Sequence, residues 1–329
     1  MQITILLRAS ILTIIYFINS FVSVCLAQQI PQTPTNTLIL PAEDYQMDFQ
    51  WYTDTLQSKP QSYTALLIPV HLPHCDKLFY MQFDSGSPYS LFYTNKLKAI
   101  QARYPKSVQI KDSADKLTNF SFRIGGQKIL AKEITIRQFD KTSIHWKEKN
   151  SIEIIGTIGV DVFENKTLVI DYPAKKIFIG NGIPTTIASG LSLSDFIFVG
   201  KRILLPALLK NKKTILYFDT GSSAYPLLTD KETSLSLSVP NSTPVQYQVK
   251  SWEKILTANT LPTKDSIEIA GNKLPLHTVT YMDGVSNAQV MQMKKMGIGG
   301  MTGNALFLKY ILVLDTKNKK FGASLSSTE

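Results

Sequence analysis

The chain of 329 residues is short of several things that usually announce a function. It has two cysteines, Cys25 and Cys75, and four histidines. No Gly-x-Ser-x-Gly motif occurs, which leaves no serine-hydrolase triad to assemble from so few histidines. His71, His74 and Cys75 cluster in "HLPHC", but no second ligand pair has metal spacing, so this stretch reads as a turn between two strands. Before Glu43 the only charge is Arg8. The net charge of +10 over the whole chain is spread out and forms no basic block, which argues against nucleic-acid binding. Helical periodicity is scarce, confined to 93–104 and 288–296, with short turns after Gly159 and Gly303.

Hydrophobic content of 44% with 18% charged residues describes a folded chain able to bury a large core. The run "ILTIIYFINSFVSVCLA" (11–27) has the shape of a secretory signal, and residues 1–27 are expected to be one; the alternative is a retained membrane anchor. Cleavage would lower the net charge from +10 to +9, since Arg8 alone is lost, and would leave Cys75 without a disulfide partner. A secreted, periplasmic or envelope location is therefore expected, with no membrane span after cleavage. Residues 28–60 read as an extension with one strand around Leu38–Leu40.

Beyond that point the chain repeats itself. "FDSGSPYSLF" (83–92) has a counterpart in "FDTGSSAYPL" (218–227), which sets Asp84 against Asp219 at an offset of 135. "FRIGGQKILAKEITI" (122–136) matches "IEIAGNKLPLHTVTY" (267–281) at an offset of 145, and "IGVDVFENKTLVIDYPAKKIF" (158–178) matches "TGNALFLKYILVLDTKNKKFG" (302–322) at 144. About ten extra residues separate the first two anchors of the second half. Short alternating runs bounded by Gly-Gly or Gly-Asn turns predict strands and hairpins throughout. The expected architecture is mostly β, with homologous barrel-like lobes over 61–182 and 183–329 and a cleft between them.

An acid at the end of an apolar strand is costly unless hydrogen bonds hold it. Glycine after Asp-Ser/Thr permits a sharp turn and close approach by a second loop. Two such loops related by a pseudo-twofold axis bring two carboxyls face to face, where they share one proton and act as paired acid and base on a water. In this pattern the chain resembles the pepsin-like, two-lobed aspartic peptidases and, more distantly, a fused pair of retropepsin subunits. The matching residues are Asp84-Ser85-Gly86-Ser87 and Asp219-Thr220-Gly221-Ser222, with "EIIGTIG" (153–159) and "MGIGG" (296–300) with "MTG" (301–303) as the glycine segments behind each loop. The resemblance covers about residues 62–324 and implies an endopeptidase acting on polypeptides as a monomer, without metal or cofactor. It makes Asp84 and Asp219 the catalytic pair, Ser85 and Thr220 the braces, Gly86 and Gly221 the points of approach, and Ser87 and Ser222 donors to the outer carboxylate oxygens.

One departure stands out. The family's flap hairpin has no room between Asp84 and Ile124, which 39 residues separate, and Tyr89 and Tyr93 read as core residues and not as its tyrosine. The rival reading is a non-catalytic binding protein of the same fold.

Overall fold

The computed structural model describes residues 35–326 except 57–58, 112, 140–141, 149–150, 189 and 252–253. The expected signal over 1–27 lies outside the described residues. Runs rich in Val, Ile, Leu, Phe and Tyr alternate with polar turns, and among the described residues they form 23 strands. In the first half these are β1 (Thr37–Ile39), β2 (Tyr45–Asp48), β3 (Gln50–Leu56), β4 (Lys59–His71), β5 (Phe79–Phe83) and β6 (Leu91–Tyr93). Helix α1 (Thr94–Arg103) follows, then β7 (Lys116–Ile124), β8 (Gln127–Arg137), β9 (Ile154–Ile158), β10 (Thr167–Asp171) and β11 (Lys176–Gly180). The second half has α2 (Thr185–Ala188), β12 (Ser194–Asp195), β13 (Ile197–Val199), β14 (Arg202–Leu209), β15 (Lys212–Phe218) and α3 (Lys231–Leu237). It continues with β16 (Val245–Ser251), β17 (Lys254–Pro262), β18 (Ser266–Ile269), β19 (Asn272–Pro275), β20 (Thr278–Asp283) and α4 (Asn287–Lys295), and ends with β21 (Ile298–Thr302), β22 (Tyr310–Asp315) and β23 (Lys320–Leu325).

The first lobe is a closed ring. Strand β7 pairs with both β4 and β8, and the path β8-β6-β9-β5-β4 joins the remaining edges, so a barrel results. At its centre β5 and β9 run parallel, with Met81 beside Gly156 and Phe83 beside Ile158. The second lobe repeats this pairing in β15 and β21, where Leu216 lies beside Gly300 and Phe218 beside Thr302. Its ring is less regular, because the counterpart of β8 is split into β19 and β20 at His277, which adopts a left-handed φ of 59°.

The two halves do not separate cleanly. A six-stranded sheet, ordered β12-β23-β22-β10-β11-β2, draws strands from both, with Leu168 opposite Leu314 and Ile170 opposite Leu312. One apolar core therefore runs through the molecule, from Phe83 and Phe163 to Phe218, Phe307 and Phe321.

Two expectations change. The described part of residues 28–60 is more than an extension with one strand: β1 pairs with β8, β2 with β11 in the shared sheet, and β3 with β4, and Tyr45, Met47 and Phe49 are buried. Their polar, proline-containing start masked this, although Tyr45, Met47 and Phe49 alternate as a half-buried strand should. The extra residues of the second half are the β16–β17 hairpin, which joins the sheet through β20 and has no equivalent in the first half.

A chain begun at Lys59 loses three strands and three buried side chains. Since each large core side chain is worth about 3 kcal/mol or more, the truncated chain should show no cooperative thermal unfolding, whereas the full chain should.

Candidate active site

Strands β5 and β15 point Met81, Phe83, Leu216 and Phe218 into the core, and each ends in an aspartate. The Asp84 N–H is held by the Ile158 carbonyl at 2.9 Å and the Asp219 N–H by that of Thr302 at 2.9 Å, so the parallel ladders themselves fix both positions. Behind each loop runs the predicted glycine segment. A Cβ on Gly159 would lie 2.4 Å from the Tyr89 carbonyl carbon, and one on Gly303 would lie 2.1 Å from the Ser222 oxygen. Glycine is required there by packing.

The loops grip each other through four reciprocal hydrogen bonds. The Ser85 N–H donates to Thr220 Oγ1 (2.8 Å) and the Thr220 N–H to Ser85 Oγ (3.0 Å). Each hydroxyl then donates onward, Thr220 Oγ1 to the Phe83 carbonyl (2.9 Å) and Ser85 Oγ to that of Phe218 (3.3 Å). This places both braces as expected from the sequence. Gly221 supplies the close approach, for a Cβ there would sit 2.6 Å from Asp84 Oδ1.

The two carboxyls are held differently. Asp219 accepts from the Gly221 N–H on Oδ1 (2.8 Å) and from Ser222 Oγ on Oδ2 (3.0 Å). Asp84 accepts from the N–H groups of Gly86 (2.9 Å) and Ser87 (3.2 Å), both on Oδ1. Its Oδ2 meets no donor among the described groups, and the neighbouring Asp219 carboxyl raises its affinity for a proton. Two adjacent buried carboxylates cannot both ionise readily, so the pair favours holding one proton. Burial, and then the neighbouring Asp219, push Asp84 well above the ordinary carboxylic range; the Gly86 and Ser87 N–H groups only partly oppose them.

Ser87 departs from expectation. Its hydroxyl donates to the Tyr89 carbonyl at 2.7 Å, whereas Ser222 donates its hydroxyl to Asp219. A supporting layer also escaped the sequence reading. Half-buried Asp161 accepts from the N–H and hydroxyl of Ser90, and Asn36 bridges Asp161 to the Ser90 carbonyl and Thr135. In the second lobe Asn304 does equivalent work, donating to the Thr220 carbonyl and Ser223 Oγ while accepting from Tyr172. The repeat alignment does carry Asp161 and Asn304, one position apart, but nothing local marks Asn36.

Neither carboxyl is exposed (0% each). The seam is closed from two sides. Tyr217 donates its hydroxyl across to the Gly86 carbonyl at 3.2 Å, and Ser223 Oγ donates to the Tyr63 carbonyl on β4 at 2.5 Å. Tyr217 and Tyr225 lie in one apolar cluster with Tyr247 and Val249 of β16 and Leu256 and Ala258 of β17. The hairpin of the second lobe thus covers the face beside Asp219. Tyr89 and Tyr93 are core residues, the latter bonded to Thr157 Oγ1 (2.9 Å).

No protein-family model matches the chain, and no curated protein matches it. Among solved structures, the aspartic proteinase from Irpex lacteus resembles it over 86% of this chain and 98% of that one, at 11% identity and a TM-score of 0.47. A likeness that loose bears neither on chemistry nor on substrate. Among the described residues no helix is long and apolar enough to cross a membrane.

The raised Asp84 has a consequence for stability with a definite sign. The folded state holds a proton that the unfolded chain releases at ordinary acidity, so stability is full at low pH and is lost as pH rises toward the shifted value. An Asp84→Asn variant keeps the neutral form at every pH. Its Tm should exceed that of the wild type at pH 7, and the difference should shrink toward pH 4; a difference independent of pH would contradict the shift.

Proposed function

We propose that the protein is an aspartic endopeptidase in which Asp84 and Asp219 activate a water against a peptide carbonyl. The observation that carries this reading is the burial of two neighbouring carboxyls on loops cross-braced by Ser85 and Thr220. A binding module gains nothing from two facing acids, since each costs several kcal/mol to desolvate. The donors divide the roles. Ser222 and the Gly221 N–H favour the charge on Asp219, which takes the proton of the attacking water and passes it to the leaving nitrogen, while Asp84 gives its proton to the developing oxyanion and recovers it as the intermediate collapses. Water, two carboxyls and a polypeptide suffice for this chemistry, with neither metal nor cofactor in the scheme.

Entry of a substrate requires the Tyr217–Gly86 bond to break and the β16–β17 hairpin to lift from its seat on Tyr217 and Tyr225. That hairpin takes over the covering work for which the first lobe has no room. The enzyme would act as a monomer, since both halves lie in one chain, and outside the cytoplasm, as the apolar run over 11–27 suggests.

The closed seam favours a second reading, a binding protein of this fold whose acids never meet a substrate. Cleavage of a denatured protein mixture from pH 3 to 8 separates the two. The enzyme reading expects an optimum below neutrality and a loss of about a thousandfold or more in Asp84→Asn and Asp219→Asn, as for removal of other central catalytic groups. In Ser222→Ala the charge on Asp219 loses a donor, so the acid limb of kcat/KM should move to higher pH. Equal digestion by wild type and Asp219→Asn would leave the binding reading.

A further inference from the structure

The duplication allows each lobe to be compared with the other position by position, and beside the carboxyls the symmetry fails. In the first lobe Gln82 pairs with Thr157, and in the second Tyr217 pairs with Met301, so Thr157 and Met301 hold the same place on the two glycine segments. Their surroundings differ. The Thr157 hydroxyl is bonded to that of Tyr93 at 2.9 Å, and Tyr93 stacks on Phe139 with ring centroids 4.4 Å apart. Those rings leave a void of only about 10 Å³ beside Thr157. Met301 instead lines a cavity of about 460 Å³, together with Leu228, Met282, Val285, Met293 and Ile298.

Met301 also touches the candidate site. Ser222 Oγ has two acceptors within reach of its one proton, Asp219 Oδ2 at 3.0 Å and Met301 Sδ at 3.1 Å. A thioether sulfur accepts weakly, so the carboxylate keeps the hydrogen bond. That balance depends on the oxidation state of the sulfur, because a sulfoxide is polar and its oxygen accepts strongly. The threonine in the equivalent place of the first lobe has no such chemistry.

We propose that Met301 is an oxidation site, and that its conversion to the sulfoxide by hydrogen peroxide withdraws the Ser222 hydroxyl from Asp219. The sulfur attacks one peroxide oxygen, so an S–O bond forms and the O–O bond breaks. Sulfur gives up two electrons and the peroxide gains them; the proton on the transferred oxygen passes to the departing one, which leaves as water. The cavity supplies what a packed core denies, a route for the oxidant and room for the added oxygen, since Met301 is only 2% exposed. Methionine turns about three bonds, which lets an oxygen gained from the cavity side swing to the Ser222 hydroxyl. Asp219 then loses a donor that favours its charge, and its affinity for a proton rises. Oxidation would thus retune the carboxyl pair without touching either acid.

The test uses the full chain and its titration, so that it does not depend on turnover. The protein is treated with hydrogen peroxide, sulfoxides are located by peptide mass mapping, and the Asp219 carboxyl carbon is titrated by 13C NMR before and after. Exposed Met291 should convert first, then Met301 with Met282 and Met293, and the buried Met47 and Met81 last. Conversion of Met301 should raise the first carboxyl transition by about one pH unit, the usual worth of a hydrogen bond to a charged group. In Met301→Leu and Met301→Ile, which nearly keep the volume, the same treatment should leave the transition unmoved. In Ser222→Ala the transition should start high and gain nothing from peroxide. Met301 left intact once Met282 and Met293 are converted, an unchanged transition after its conversion, or an equal shift in the Met301 variants would overturn the proposal. A matching upward move of the acid limb of kcat/KM rests on the peptidase reading. A carboxyl transition that shifts as expected in a protein that cuts no peptide would overturn that reading alone.

Discussion

Two carboxyls buried against one another are the constraint around which the molecule is built. Each would be strongly destabilising alone. Held together they need one proton between them and a shell of donors for the remaining charge, and every such donor comes from a loop whose position the other half fixes. The Ser85–Thr220 exchange ties the loops to each other, the ladders to Ile158 and Thr302 tie each loop to its own lobe, and the sheet containing β10 and β22 ties lobe to lobe. Loosening any of these would move one acid relative to the other.

Within that frame the halves have diverged where their surroundings allow it. The braces are symmetric because each hydroxyl has both a donor and an acceptor to satisfy across the seam. The carboxyl donors are not, since Ser87 turns to Tyr89 while Ser222 stays on Asp219. The same divergence removes the covering hairpin from the first lobe, adds one to the second, and opens a cavity where the first lobe carries Tyr93 and Phe139. Charge, cover and apolar space all become features of the Asp219 side.

Much of this was legible in the residues. The offset repeats give the duplicated lobes, and the Asp-Ser/Thr-Gly pairs give the site down to the braces, because those roles depend on short contiguous motifs. The alternation in Tyr45, Met47 and Phe49 was legible too but was hidden behind a polar start. Asn36, the Tyr217–Gly86 bond and the Tyr63–Ser223 contact were not legible, since each joins residues with no shared motif over separations of 54 to 160 positions. The ten extra residues of the second half were visible as a length; that they form a cover over Tyr217 and Tyr225 follows only from how β17 pairs with β20.

The most direct test of the shared proton is a titration of the two carboxyl carbons by 13C NMR, with Asp84→Asn and Asp219→Asn to assign the signals. The account predicts that the pair loses its protons in two well-separated steps, with Asp219 carrying most of the charge after the first and Asp84 holding its proton well above the ordinary carboxylic range. Two independent transitions, both near the ordinary aspartate value and unaffected by removal of the partner, would show that the acids do not act as a pair.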